Sequence, residues 1–128
     1  MIHIDLLEGI GKDRAGFTCL ARLGVTAIIT TKIHIAKLAR EHGMIVIQRL
    51  FIVDSEAVRT GIKMANHFKP DAIEVLPSTV PERVVKTFIL ETGLPILAGG
   101  CIYDEDNVKE TLSKGVVAVS THQRKLWV

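Results

Sequence analysis

Two short segments near the end of the chain carry the residue types that hold an anion: Ala98-Gly99-Gly100 closes one aliphatic run and Ser120-Thr121 closes the next. Glycine lets main-chain N–H groups approach a ligand closely. A Ser-Thr pair adds hydroxyls, and where it opens a helix it lies at the end that favours negative charge. Lys32 and Arg49 end two earlier runs. They suit completion of an anion site or contact with ligand hydroxyls. Asp5 and Glu74 terminate otherwise apolar runs. Acids so placed suit acid–base work, hydrogen bonds to ligand hydroxyls, or ion pairs with Lys32 and Arg49. The chemistry expected is capture of a small phosphate ester.

Other chemistry has less support. His3, His34, His42, His67 and His122 are scattered, match no metal-ligand spacing, and are expected at helix ends or on the surface. Cys19 and Cys101 stand outside any Cys-x-x-Cys setting, so reduced thiols are expected rather than zinc ligands. His122-Gln123-Arg124-Lys125 forms a basic tail beside the suspected anion site; with Lys12 and Arg14 it is either a solvated surface or part of a nucleic-acid contact. Leu126 and Trp127 are expected to pack a last short helix onto the body.

The elements that must position these residues alternate regularly. Aliphatic runs at 2–5, 27–30, 45–48, 72–76, 95–98 and 116–120 read as buried strands. Amphipathic patterns at 13–23, 33–42, 55–68, 80–92 and 104–114 read as helices. Gly24, Gly43, Gly93 and Gly115 stand where a helix yields to a strand. Lys69-Pro70 does so once more, because proline cannot continue a helix. Thr79-Val80-Pro81-Glu82 reads as a capping box, and Asp104-Glu105-Asp106 places carboxylates at a helix start.

The pattern is six β/α repeats in a single domain over residues 1–128. Periodicity alone leaves a partial TIM-like barrel and a doubly wound flavodoxin-like sheet open. Phosphate sites in barrels are commonly built by the last two β/α loops, and this chain places its glycine pair and Ser-Thr there, which favours the barrel. In either architecture the functional end is the C-terminal edge of the strands.

Composition agrees. Hydrophobic residues make up 48% of the 128, and aromatics only 5%, as aliphatic parallel strands require. The net charge of +2 falls short of a dedicated nucleic-acid binder, so any such contact needs a local patch. There is no apolar run long enough to span a membrane and no signal-peptide layout at Met1-Ile2-His3, so a cytoplasmic location is expected.

Taken together, the segments Ile4-Asp5-Leu6-Leu7-Glu8-Gly9, Ile28-Ile29-Thr30-Thr31-Lys32, Gln48-Arg49-Leu50-Phe51, Pro70-Asp71-Ala72-Ile73-Glu74, Leu97-Ala98-Gly99-Gly100, Ala118-Val119-Ser120-Thr121 and Lys125-Leu126-Trp127 resemble the glycerol-uptake operon antiterminators. The likeness runs over essentially the whole chain. It implies a barrel that binds glycerol 3-phosphate as effector, needs no cofactor, and acts on an mRNA leader to prevent premature termination of glycerol-catabolic transcripts. It implies a regulator rather than an enzyme. The residues alone also fit an enzyme acting on a small phosphate ester: an isomerase, aldolase or phosphodiesterase. The family pattern places two further β/α units ahead of the segment matching Ile2. Six units do not close an eight-stranded barrel, so a fragment, or closure with a partner chain such as a homo-oligomer, is expected. Three departures stand out: Ser78 for glycine, Cys101 for an aliphatic residue, and His122-Gln123 for a small polar pair.

Overall fold

The structure is a computed structural model that describes residues 13–127 and the backbone of Ile2–His3. Its elements run in strict alternation: β1 (Ile2–His3), α1 (Arg14–Arg22), β2 (Ala27–Thr30), α2 (Ile33–Glu41), β3 (Ile45–Phe51), α3 (Ser55–Phe68), β4 (Ala72–Leu76), α4 (Glu82–Thr92), β5 (Ile96–Gly99), α5 (Glu105–Leu112) and β6 (Ala118–Ser120). A 3-10 turn, Arg124–Leu126, follows.

All neighbouring strands pair in parallel, and their order in the sheet is sequential from β1 to β6. Sequential order rules out the doubly wound alternative, whose strand order reverses at a switch point. Right-handed crossovers then place the helices along one face. The fold is a curled, TIM-barrel-like sheet of six β/α strands, and among the described residues no pairing joins β6 to β1.

Local chemistry explains the helix boundaries. Asp13, Asp54 and Asp104 each accept a hydrogen bond from the backbone N–H three residues on, at 2.9, 2.8 and 2.8 Å. Each such cap contributes about 1 kcal/mol. At the other end, Gly93 caps α4 with φ 68°. Lys69 caps α3 in the same left-handed region, φ 57°, where a side chain is strained.

Two boundaries differ from the sequence expectation. The capping box at Thr79 does not form: α4 starts at Glu82, with Pro81 before it and no side-chain cap. Val80 precedes proline and is therefore pushed away from helical geometry; it packs instead into the core. Strand β3 runs to Phe51, three residues beyond the expected end at Gln48. Arg49 interrupts the apolar run in sequence but not the strand, because its charge is met across the sheet.

Alternation along the strands sorts side chains to two faces. Ile28, Val46, Leu50, Ile73, Val75, Ile96 and Ala98 meet the helices in two buried clusters with Phe17, Leu20, Ala65 and Phe88. Ile29, Ile47 and Ala72, with Leu97, form a smaller cluster on the inner face. At Gly61 a Cβ would lie 2.8 Å from Leu50 Cδ1 and 3.3 Å from Phe88, so glycine lets α3 approach β3 and α4 closely.

Candidate functional site

The inner face near the C-terminal edge of the sheet carries a polar cluster. Arg49 on β3 and Glu74 on β4 are register partners. The Arg49 guanidinium donates to Glu74 Oε1 at 2.8 Å, and the two side chains are 17% and 0% exposed. Ser120 Oγ on β6 donates to the same carboxylate oxygen at 3.3 Å. Gly99 on β5, the register partner of Ser120, lies between them. A Cβ at Gly99 would stand 2.2 Å from Ser120 Oγ and 3.1 Å from Glu74 Oε1. Gly99 is therefore the space that lets a serine and a carboxylate converge from two neighbouring strands.

Two features of this cluster suit a ligand. Glu74 Oε2 is buried and has no hydrogen-bond partner among the described residues. A buried acceptor left unmade costs roughly 1–3 kcal/mol, which a ligand hydroxyl would offset. Among the described residues, the N–H groups of Gly100 and Cys101 donate to no backbone carbonyl, so two main-chain donors remain at the loop that follows.

That loop is held in shape. Gly100 has φ 79° and Cys101 φ 58°. Ser78 donates both its N–H (3.3 Å) and its Oγ (2.6 Å) to the Gly100 carbonyl. Lys114 Nζ in turn donates to the Ser78 carbonyl at 2.7 Å. Ser78, 2% exposed, thus ties the β4–α4 loop to the glycine pair. Its contact spans 22 residues, and nothing in local spacing announces the contact itself.

Of the residues singled out in the sequence, Arg49, Glu74, Gly99 and Ser120 come together, with Gly100 adjoining them. Lys32 stands exposed at the end of β2, its own N–H bonded to Thr30 Oγ1, and makes no contact with the cluster among the described residues. Thr121 is directed elsewhere. Its Oγ1 accepts from Gln123 N–H at 3.1 Å and its carbonyl from Trp127 Nε1 at 2.7 Å. It opens no α-helix: the following turn is a three-residue 3-10 segment beginning at Arg124, too short for the helix-end argument to apply. Asp5, like Glu8 and Lys12, lies outside the described residues. Gln48 and Arg49, adjacent in sequence, part company: Gln48 faces the helices, 1% exposed, with both amide atoms unpartnered among the described residues.

The secondary candidates resolve as follows. Cys19 and Cys101 are free and exposed. His34, His67 and His122 are exposed, while His42 caps α2 and bonds Leu38 O. Among the described residues no group of acids, histidines and cysteines is placed to hold a metal. No described helix is long and apolar enough to cross a membrane. Arg14 is committed to Glu41. Arg124 lies over the Trp127 ring at 5.7 Å.

Comparison with known proteins fits this geometry. The profile of glycerol-3-phosphate responsive antiterminators matches residues 1–127. The Escherichia coli K-12 protein YgcP is 36% identical over 127 residues, covering 98% of this chain and 66% of its own length. The crystal structure of a glycerol uptake operon antiterminator regulatory protein from Listeria monocytogenes superposes with a TM-score of 0.84 at 33% identity, over 98% of this chain and 68% of that one. An antiterminator-related protein from Thermotoga maritima gives 0.84 at 30% identity, over 98% and 70%. This chain thus spans about two thirds of each relative's length. With the parallel curled sheet and the polar cluster on its inner face, these matches establish that the chain belongs to the glycerol-3-phosphate-responsive antiterminator family.

Proposed function

We propose that this chain binds glycerol 3-phosphate on the inner face, at the C-terminal edge of its sheet, and that the bound form acts on an mRNA leader to prevent premature termination. The observation that carries the reading is the convergence of Arg49, Glu74 and Ser120 over Gly99. The phosphate takes hydrogen bonds from the N–H groups after Gly99, beside the Arg49 charge, and from Ser120 Oγ, whose single proton turns from Glu74 to the ligand. The glycerol hydroxyls donate to Glu74 Oε2. Lys32 adds a cation at the same edge, and Asp5 is proposed as a further acceptor for the ligand hydroxyls. Thr121 shapes the turn behind Ser120.

The effector is the only small molecule the reading needs, and the chain works as a cytoplasmic regulator without turnover. Support comes from the family, whose description names glycerol 3-phosphate and antitermination. The cluster itself also speaks for binding, since Glu74 is already engaged by Arg49 and Lys32 stands apart from it.

Isothermal titration with glycerol 3-phosphate, inorganic phosphate and glycerol tests the ligand. The phosphate ester is expected to bind tighter than either part, because the site addresses both ends. Equal affinity for inorganic phosphate would reject the role given to Glu74. A leader transcription assay, with and without ligand, tests the readout; identical read-through would reject the regulation. Consumption of glycerol 3-phosphate or dihydroxyacetone phosphate would favour the enzyme instead.

A further inference from the structure

The proposed function leaves the nucleic-acid surface unassigned, and the charge distribution bears on it. Lys37, Arg40, Lys63, His67 and Lys69 are exposed at and near the C-terminal ends of α2 and α3. Parallel β/α connectivity puts those ends at the N-terminal edge of the sheet, opposite the ligand cluster. Lys37, Arg40 and His67 line one surface depression with Phe68 and Glu41. The carboxylate of Glu41 is taken by Arg14 and that of Asp71 accepts from the Val46 N–H, so four lysine and arginine charges outnumber the acids of the patch. The whole chain has 16 basic and 14 acidic residues. With those four set aside, the acidic residues outnumber the remaining basic ones.

Helix dipoles do not account for this concentration. They favour a cation in the last turn, and only Arg40 and His67 occupy last turns here. Lys37 and Lys63 lie further back, and Lys69 lies beyond the helix. Lys69 also holds a left-handed conformation, φ 57°, where Gly24, Gly43, Gly93 and Gly115 follow the other helices. Glycine would be easier there, so the lysine holds this place with some backbone strain. Arg40 is held in place: its guanidinium stacks 4.0 Å over the Phe68 ring and donates to the carbonyls of Phe68 and Lys69. The opposite edge carries the acids that begin helices: Asp13, Asp54, Glu56, Glu82, Asp104, Glu105 and Asp106.

We infer that RNA docks by its phosphate backbone on the patch formed by Lys37, Arg40, Lys63 and Lys69, at the end of the sheet away from the effector. This rests on the antitermination reading above. Ligand and RNA then occupy different ends of the body and influence each other by linkage through it, not by direct contact.

The test is anisotropy of a fluorescein-labelled RNA hairpin with a uridine-rich tail, titrated with the full chain at several salt concentrations, with and without glycerol 3-phosphate. The double variant K63Q/K69G removes two charges while relieving the strain at 69, so its thermal midpoint should not fall. Its RNA affinity should drop about tenfold, and the slope of log K against log salt should shrink by about 1.5, as two lost phosphate contacts require. R124Q/K125Q, at the other edge, should bind as the unsubstituted chain does. If K63Q/K69G binds normally, or both variants weaken alike, this surface is wrong while the antitermination reading survives. Displacement of the RNA by polyglutamate as readily as by unlabelled RNA would also overturn it, in favour of an acidic protein partner. No RNA binding by the unsubstituted chain, with or without ligand, overturns both.

Discussion

Replacing Gly99 with alanine puts a methyl group 2.2 Å from Ser120 Oγ and 3.1 Å from Glu74 Oε1. The hydroxyl is the flexible partner, so it must swing away by more than 1 Å to reach ordinary contact at 3.4 Å. It now lies 3.3 Å from Glu74 Oε1, and that bond does not survive the movement. A hydrogen bond to a charged group contributes roughly 1.5–3 kcal/mol; at 3.3 Å the lower end applies. Against this, alanine in a strand gains about 0.5–1 kcal/mol over glycine. Gly99→Ala should therefore destabilise the chain by about 1 kcal/mol. In a Ser120→Ala background the obstructing oxygen is absent, and the same substitution should be neutral or stabilising. Urea unfolding of the four proteins yields the coupling energy, expected at about 1.5 kcal/mol. Titration with glycerol 3-phosphate should show at least about a tenfold loss of affinity in Gly99→Ala. That loss should persist in the double variant, since the methyl group still occupies the approach. A coupling below about 0.5 kcal/mol, or unchanged ligand affinity, would show that Gly99 is not the space on which this site is built.

Arg49→Met should cost about 3 kcal/mol in urea unfolding, because it leaves the fully buried Glu74 carboxylate without its cation; a loss under about 1 kcal/mol would mean the pair is solvated. Gln48→Leu should be neutral or raise stability by about 1 kcal/mol, since both amide atoms are buried without partners among the described residues; a clear loss would reveal a partner the helix-facing position does not show. Gly61→Ala should destabilise by about 1–2 kcal/mol despite alanine's better helix propensity, because its Cβ meets Leu50 at 2.8 Å. A higher thermal midpoint for Gly61→Ala would show that α3 yields readily.

Much of this molecule is written locally. Residues 27–30 and 72–76 read as strands and residues 55–68 as a helix, and the structure has the same bounds. Aliphatic runs, aspartate caps and glycine stops act within a turn or a strand, so composition over a few residues suffices. The candidate anion site was legible in part for a similar reason: residues after parallel strands must share one edge, whichever strands become neighbours.

What neighbours what was not written locally. Ser120 over Gly99, Arg49 beside Glu74, and Ser78 on the Gly100 carbonyl join residues far apart in sequence. Their meeting depends on strand order and register, which the packing of whole faces decides. Strand alternation separates Gln48 from Arg49, but the packing decided that Gln48 meets the helices and Arg49 the inner face. The same packing engaged Thr121 with Gln123 and Trp127 inside the C-terminal turn instead of with the anion cluster. The residues alone determined a series of parallel β/α units with candidate anion-binding groups at one edge. Only the tertiary structure decided which of those groups touch, because contact between strands is a property of the sheet and not of any strand by itself.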